Sequence, residues 1–231
     1  MNEMVFSRFV TILTSPGAVM AQVRDLPRWT AAALIIVTCV AIYAGITLHI
    51  TGPEQVDALQ ETRFGEMMDA EQIDEMYAQF EDIQFKNRVL SGLQAGFASL
   101  ISVFVWTLVY LLFGKLAGGQ GSFTQLLGVT MWSSYVGLGL HSLAKIPLVL
   151  AKGSAMDVSI GPAVLVASRG ALDPVFQFLS MFDVFSLWGL YLVVLGLQSI
   201  HGFDRNKAAI VGGSGWLLIV LVLFGLGRLV M

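Results

Sequence analysis

The sequence predicts an all-α, polytopic membrane protein with five transmembrane helices and short interfacial helices. Hydrophobic residues make up 56% of the 231 residues and charged residues only 13%. A soluble domain carries about 25% charged residues, so a soluble fold of this chain would have to coat its surface with apolar side chains. The apolar residues are gathered into five long stretches, and none shows the alternation of a transmembrane barrel strand.

Each stretch is long enough to cross a bilayer, since roughly 20 apolar residues span roughly 30 Å of hydrocarbon. Helices are expected because unpaired backbone groups are too costly in lipid. The five predicted spans are about 30–50, 93–116, 126–150, 175–200 and 208–230. The chain then divides into cytoplasmic interfacial helices over 1–29 and a five-helix membrane domain over 30–231, which includes an outer acidic loop over 51–92.

The charges give the chain an orientation. An odd number of spans puts the termini on opposite sides, and basic residues in short loops favour the cytoplasm. Basic residues tie at six on each side, but those of the N-terminal side lie against span ends, while the loop 51–92 holds ten acids and three bases. We therefore expect the N-terminus in the cytoplasm and the C-terminus outside. The first 28 residues lack a short apolar core with a cleavage site, so the first span should be an uncleaved anchor.

Two amphipathic segments lie outside the predicted spans. Over 70–88, apolar residues recur at three- and four-residue steps and predict a helix with an acidic outer face, which either caps the bundle or binds a partner. Its apolar positions are Ile73, Met76, Tyr77, Phe80 and Ile83. At the N-terminus, an apolar stripe from Val5 to Leu13 with Arg8 on the other side predicts a helix over 3–13. A second helix over 16–25 follows Ser15 and Pro16. Both N-terminal helices should lie flat on the interface, and 3–13 is another candidate partner surface.

A pair of charges inside the membrane is the strongest candidate for a site. Lys145 lies in the third span and Asp183 in the fourth, at comparable depth, and His141 lies one turn from Lys145 on the same face. Intramembrane charges usually face the bundle interior and pair. These residues predict a polar cluster that lines a cavity or a proton path. The alternatives are a structural salt bridge between the two helices, or a Lys145 side chain that snorkels to the outer interface.

A glycine-rich turn follows the second span. It runs from Phe113 to Phe123 and contains Gly118, Gly119 and Gly121. Lys115 precedes the glycines and no Gly-Lys-Ser/Thr ending is present, so a nucleotide loop is not indicated. We expect a tight cytoplasmic turn with Ser122 or Thr124 capping the third span.

Other chemistry is not indicated. The histidines lack ligand spacing on one element, and no Gly-x-Ser-x-Gly pattern is present, so we expect no metal, no cofactor and no enzymatic activity. The net charge of −3 suggests no nucleic-acid partner. The single cysteine, Cys39, lies in an apolar run, so an intramolecular disulfide is excluded.

Several motifs in this order resemble the Yip (Ypt-interacting protein) family of membrane proteins, in a bacterial version. They are the N-terminal Ile12-Leu13-Thr14-Ser15-Pro16, the five spans, the turn with Gly118, Gly119, Gly121, Ser122 and Phe123, the segment from Asp183 to Trp188, and Lys207-Ala208. The resemblance implies a location in the bacterial inner membrane. Eukaryotic members are associated with Rab-type GTPases and vesicle traffic, so the shared part would be a membrane scaffold or a lipid or transport role.

Two functions from different classes follow. The first is a non-enzymatic scaffold or adaptor that binds protein or lipid partners. The alternative is a transporter of a small molecule, ion or lipid built around His141, Lys145 and Asp183. Small residues four apart allow close helix contacts, either within one chain or in a homo-oligomer; these pairs are Gly92 with Gly96, Ala208 with Gly212, and Ala209 with Gly213.

Overall fold

A computed structural model describes residues 3–230, with side chains over 7–227. This part of the chain is helical and contains no strand. Five of its helices are long and apolar enough to cross a membrane, which confirms the predicted fold class. In chain order the α-helices are α1 Glu3–Thr14, α2 Pro16–Asp25, α3 Trp29–Gln60, α4 Ala70–Glu81, α5 Phe85–Leu116, α6 Phe123–Ser134, α7 His141–Lys152, α8 Pro174–Ser180, α9 Val184–His201 and α10 Arg205–Val230.

The third span is composite. Between α6 and α7 the chain forms a π-helix over Tyr135–Leu140, so one continuous span covers Phe123–Lys152. A π-helix is rare and is usually found as a single wide turn, frequently at functional sites. The segment contains Gly137 and Gly139, and a Cβ at either position would lie 3.6–3.9 Å from its neighbours, which is ordinary contact. Pro147 lies inside α7.

The fourth span begins later than predicted. The stretch 175–200 is divided into α8 and α9, with a break over 181–183. Asp183 is therefore the N-cap of α9 and does not lie inside a continuous helix. The reason is local, because an Asp side chain that accepts the first backbone N–H groups of a helix favours an extended backbone at its own position. Asp183 has that extended backbone, with φ −77° and ψ 164°.

The segment between the first two spans is a helical hairpin. α3 continues through Pro53 to Gln60, well beyond its predicted end at residue 50. The predicted helix over 70–88 is divided by residues 82–84 into α4 and the start of α5. Asp69 and Gln72 form a capping box at the start of α4.

Contacts with the end of α3 hold α4 in place. The Phe80 ring fills the space above Gly52, and the Tyr77 hydroxyl donates to Asp57. The apolar face of α4 thus packs against the end of α3. We refer to the end of α3, the connecting turn and α4, residues 51–81, as the outer hairpin.

The N-terminal helices are docked in the bundle. α2 begins with Pro16 at its first turn, as predicted, and buries Val19, Met20 and Val23 against α9 and α6. In α1, however, Arg8 is 1% exposed while Val10 is 68% exposed. The predicted stripe with Arg8 on the polar side is therefore wrong within the described side chains. Arg8 is buried because its guanidinium donates to Gln22 and to the Leu26 carbonyl.

Small residues bring the spans together. A Cβ on Gly92 would lie 2.5 Å from the Ala41 carbonyl oxygen, and one on Gly96 would lie 2.7 Å from that of Val37. These glycines therefore let α5 approach the backbone of α3 within one chain. Ala208 is buried, and a Cβ on Gly212 would lie 3.0 Å from the Val194 side chain of α9. Ala209 is exposed, and nothing lies within 4 Å of a Cβ on Gly213. The last pair remains on the outer surface of α10.

Candidate functional site

The π-helix of the third span lies against α9, the fourth span. A Cβ built on Gly189 of α9 would lie 3.6 Å from Gly137 Cα, and Gly137 belongs to the π-helix. The break before α9 lies just beyond this contact. Broken helices in membrane proteins release backbone groups, and binding sites are often built there.

Asp183 occupies the break and is 4% exposed. One carboxylate oxygen accepts from Phe185 N at 2.8 Å and Ser186 N at 3.0 Å. The other accepts from the Ser186 hydroxyl. The N-terminus of a helix carries a partial positive charge, so it stabilises a carboxylate in this position. The negative charge of Asp183 is thereby satisfied by α9 itself.

His141 approaches Asp183 from the third span, as the sequence predicts. Its Nδ1 lies 4.0 Å from Asp183 Oδ1. Its ring stacks on Phe185 at 5.3 Å between centroids, with 11° between the planes. His141 therefore links the end of the π-helix to the first turn of α9.

Lys145 lies one turn further along α7 and is half-buried. Within the described residues, no carboxylate oxygen lies within 4.0 Å of the Lys145 ammonium nitrogen, the limit for an ion pair. The carboxylates that act on its ammonium group from a longer distance are Asp183 and Glu54. The structure thus brings His141 and Asp183 together and leaves Lys145 outside direct contact, because Asp183 is already engaged by α9.

Glu54 is a polar residue of this region that the sequence analysis missed. It lies on the extension of α3, where its carboxylate accepts from the Ser154 hydroxyl and from Ala155 N at 2.9 Å. These bonds tie α3 to the loop after α7. In the sequence, Glu54 lies four residues after the predicted end of the first span. It was therefore assigned to the loop, although α3 in fact continues past it.

A cavity of about 120 Å³ lies between α5, α6, the π-helix, α9 and α10. Its walls are mostly apolar, and Ser186 connects one wall to Asp183. Neither His141, Lys145 nor Asp183 lines it. The lining includes Ser102, Trp106, Tyr110, Thr130, Ser133, Ser134, Gly137, Leu138, Gly189, Leu190, Val193 and Trp216.

The glycine-rich turn closes around His201, the last residue of α9. Gly118 has φ +80°, which favours glycine. The Gly119 and Gly118 amides donate to the carbonyls of Gly114 and Lys115, the pattern of a Schellman motif. Ser122 then forms a capping box with Gln125 at the start of α6, which confirms the predicted serine cap.

The His201 ring packs against this turn, and three of the glycines leave room for it. Its Nδ1 accepts from Gly121 N at 2.9 Å. A Cβ on Gly114, Gly119 or Gly121 would lie 2.6, 2.5 or 2.8 Å from the imidazole ring. No local sequence pattern reveals this contact, because Gly121 and His201 are 80 residues apart in the chain.

The remaining predicted motif residues are helix-end and helix-surface positions. Phe123 is the first residue of α6 and is 38% exposed. The Trp188 ring lies 5.5 Å from that of Tyr191, and its indole nitrogen is buried without a hydrogen-bond partner in the described part of the chain. Across residues 3–230, no group of three His, Cys, Asp or Glu side chains is placed to hold a metal ion.

This arrangement defines a polytopic helical membrane protein with a composite third span and a fourth span, Val184–His201, that begins at the N-cap Asp183. The chain belongs to the Yip1 domain family, whose sequence model matches residues 10–227, and the resemblance in the motifs is thereby confirmed. It is also 22% identical over 222 residues to the membrane protein YknW of Bacillus subtilis (strain 168), an alignment that covers 93% of this chain and 84% of YknW. No solved structure matches the chain significantly.

Proposed function

We propose that this protein is a non-enzymatic scaffold of the bacterial inner membrane, with its N-terminus in the cytoplasm, its C-terminus outside, and a partner protein bound on the outer hairpin. The observation that carries this proposal is the construction of the hairpin. α3 continues as one helix beyond its apolar segment, and α4 is fixed on it by Phe80 and Tyr77. Because the hairpin is fixed on the end of a span, a bound partner would be held at a set position above the membrane.

The outward face of the hairpin supplies the chemistry for binding. α4 has no buried residue, and nine exposed carboxylates lie on and around the hairpin: Asp57, Glu61, Glu66, Asp69, Glu71, Asp74, Glu75, Glu81 and Asp82. Charge complementarity steers association and selects partners. The partner segment is therefore expected to be rich in Lys and Arg.

Site-specific photocrosslinking in native membranes tests this function. A photoreactive residue at Gln79, which is exposed on α4, should yield a discrete crosslink to one protein. The same group at Phe97, which is 60% exposed on the lipid-facing part of α5, should yield lipid adducts only. Neutralising Glu71, Asp74 and Glu75 together to Gln, Asn and Gln should abolish the protein crosslink.

The matched control conserves charge. Exchanging the same residues as Glu71→Asp, Asp74→Glu and Glu75→Asp keeps three negative charges and should keep the crosslink. Higher salt should weaken it, because exposed charges are screened over about 8–10 Å at ordinary ionic strength. A crosslink that survives neutralisation, or that never forms at Gln79, contradicts an acidic docking surface.

Ligand transport is the second candidate, and one observation favours it. The π-helix ends at His141, which approaches the N-cap Asp183 of α9, and ionisable groups inside a membrane domain often mark the path of a substrate or ion. Transport would require a flux of ions or solute in proteoliposomes that is lost on His141→Ala but retained by the crosslink-deficient triple variant. Absence of any flux leaves scaffolding as the function.

A further inference from the structure

The chain between α7 and α8 returns to the middle of the membrane domain. The uncharged stretch of α10, residues 208–227, has the length that crosses roughly 30 Å of hydrocarbon. Trp216 lies near the middle of that stretch, and the Phe182 ring lies 5.0 Å from the Trp216 ring. A Cβ on Gly161 would lie 3.0 Å from the Phe182 carbonyl oxygen. Gly161 is therefore close to mid-depth, and we call residues 153–161 the returning segment.

The backbone of the returning segment lacks partners at this depth. The segment is not helical, and a 3₁₀-helix begins only after it, over Pro162–Arg169. The amides of Ser159, Ile160 and Gly161 donate no hydrogen bond within the described part of the chain. Gly161 is only half-buried, and its accessible surface is backbone because glycine has no side chain. Irregular backbone at membrane depth is tolerated where it lines a water-filled cavity, so water is the expected partner of these amides.

The helices beside the returning segment leave a gap in this half of the bundle. α7 packs against α3 and the π-helix, whereas α8 packs against the 3₁₀-helix. Among the described residues, α7 makes no comparable contact with α8, α9 or α10. The two sides meet where α9 lies on the π-helix and where His141 Nδ1 lies 4.0 Å from Asp183 Oδ1. The gap is therefore a cleft between α7 and α8 with His141 and Asp183 at its base.

Ionisable side chains with accessible surface follow the cleft from its mouth to its base. Glu54 is half-buried and lines a groove of about 330 Å³ at the end of α3. Lys145 is also half-buried, and it is acted on by the charges of both Glu54 and Asp183. The His141 side chain is 24% exposed. Ionisable groups in a membrane domain face the bundle interior or a water-filled cavity, so these exposed surfaces are expected to face water.

We propose that a water-filled cleft opens at the groove beside Glu54, passes Lys145 and ends at His141 and Asp183. Water and small hydrophilic solutes enter it between α7 and the returning segment. The contact between the π-helix and α9 closes the base, so the cleft connects the polar cluster to the hairpin side of the membrane alone. This site does not depend on a partner at the outer hairpin, and failure of the scaffold function would leave it unaffected.

Cysteine modification in nanodiscs tests the cleft, because both membrane faces are then open to the reagent and the result does not depend on orientation. The reagent is trimethylammonioethyl methanethiosulfonate, whose fixed charge excludes it from hydrocarbon. Lys145→Cys should react at least about tenfold faster than Leu221→Cys, because a thiol in hydrocarbon keeps its proton and one pKa unit alone lowers the reactive thiolate about tenfold. The wild type supplies the background, since Cys39 is buried.

Leu221 is a matched control for depth. It is 51% exposed on α10 and lies five residues beyond Trp216, or about 8 Å along the helix. Lys145 lies four residues beyond His141, or about 6 Å. The two positions are thus similarly distant from the middle of the membrane domain, and they differ in facing the cleft or the lipid. Circular dichroism verifies that both variants fold.

Hydrogen exchange of the wild type gives a second measurement that needs no variant. The amides of Ser159, Ile160 and Gly161 should exchange at nearly the rate of an unfolded chain, because they have no partner in the described structure and are open to water. The amides of the lipid-facing part of α10, residues 217–226, should stay protected. Mass spectrometry of the peptides from each region measures the difference.

Two results overturn the proposal. One is an equal modification rate at Lys145→Cys and Leu221→Cys in folded protein, which means that lipid occupies the gap between α7 and α8. The other is protection of the Ser159–Gly161 amides as strong as that of α10. That result means that packed protein seals the returning segment and that water does not reach the base.

Discussion

At the scale of single residues, His201 and Asp183 occupy the two ends of α9. Asp183 satisfies the first amides of the helix, and His201 fills the space that the glycine turn leaves open. Each residue is polar and lies at a helix end inside the bundle. The bond from Gly121 N to His201 joins α9 to the turn before α6, whereas the hydrogen bonds of Asp183 stay within α9.

Gly121→Ala should destabilise the protein through His201. The added carbon would lie 2.8 Å from the imidazole, and overpacking of this kind costs about 1–3 kcal/mol. Unfolding in mixed micelles, followed by circular dichroism, measures the change. The double variant with His201→Ala should recover most of the loss, because the ring that clashes is gone. Failure of this rescue would show that the glycine serves the backbone alone, and Gly213→Ala is the control.

Asp183→Ala should reduce the free energy of unfolding by about 1 kcal/mol, the usual contribution of an N-cap. Asp183→Asn should stay near the wild type, because an Asn side chain also caps. Lys145→Met should have the same effect in the wild type and in the Asp183→Asn variant, within about 0.5 kcal/mol. A coupling free energy between Lys145 and Asp183 well above about 0.5 kcal/mol would support the predicted ion pair. The same unfolding assay measures it.

At the scale of elements, the outer hairpin and the N-terminal helices depend on a few polar contacts. Tyr77 donates to Asp57 between α4 and α3, and this bond raises the pKa of the Tyr77 hydroxyl above its ordinary value. Arg8 binds Gln22 and Leu26 between α1 and α2, and burial lowers the pKa of its guanidinium. Both contacts dock a short helix that cannot form a stable helix alone.

Tyr77→Phe should loosen α4 from α3, and hydrogen exchange of the α4 amides should become faster at neutral pH. The pH dependence follows from the raised pKa: the stabilisation is complete below about pH 10, the ordinary tyrosine value, and is lost as the pH rises through the higher value of the folded protein. Tyr191→Phe, at a lipid-exposed position, is the control. Unchanged exchange in Tyr77→Phe would mean that Phe80 alone holds the cap.

At the scale of the whole molecule, five spans separate the acidic hairpin from the glycine turn. The hairpin lies at one end of the bundle, where α3 and the loop after α7 are joined by Glu54. The turn and α2 lie at the other end, where Ser199 donates to the Met20 carbonyl. The two ends differ in charge, and our proposed orientation follows from that difference.

Cysteine labelling tests the orientation. Asp74→Cys, on the exposed face of α4, should react with an impermeant maleimide in intact cells. Asn206→Cys, exposed at the start of α10, should react only after the membrane is permeabilised. The wild type supplies the background, because its Cys39 is buried. The opposite pattern of labelling would place the N-terminus outside.

The prediction of five spans succeeded because transfer into lipid depends on the summed hydrophobicity of about 20 neighbouring residues, which composition along the chain records directly. The cap at Ser122 and the proline start of α2 were also predictable, because each depends on adjacent residues. The sequence determines the orientation in the membrane less well, because each side of the predicted topology holds six basic residues.

Tertiary structure alone decided where the charges and glycines act. Arg8 is buried by partners that α2 and the residue after it supply. Lys145 remains apart from Asp183 because α9 already satisfies the carboxylate. The glycine turn is shaped by His201, and Gly137 of the π-helix lies against Phe185 and Gly189 of α9. Pairings of this kind join residues far apart in the chain, and their free energy depends on the final packing of whole helices, which no local pattern contains.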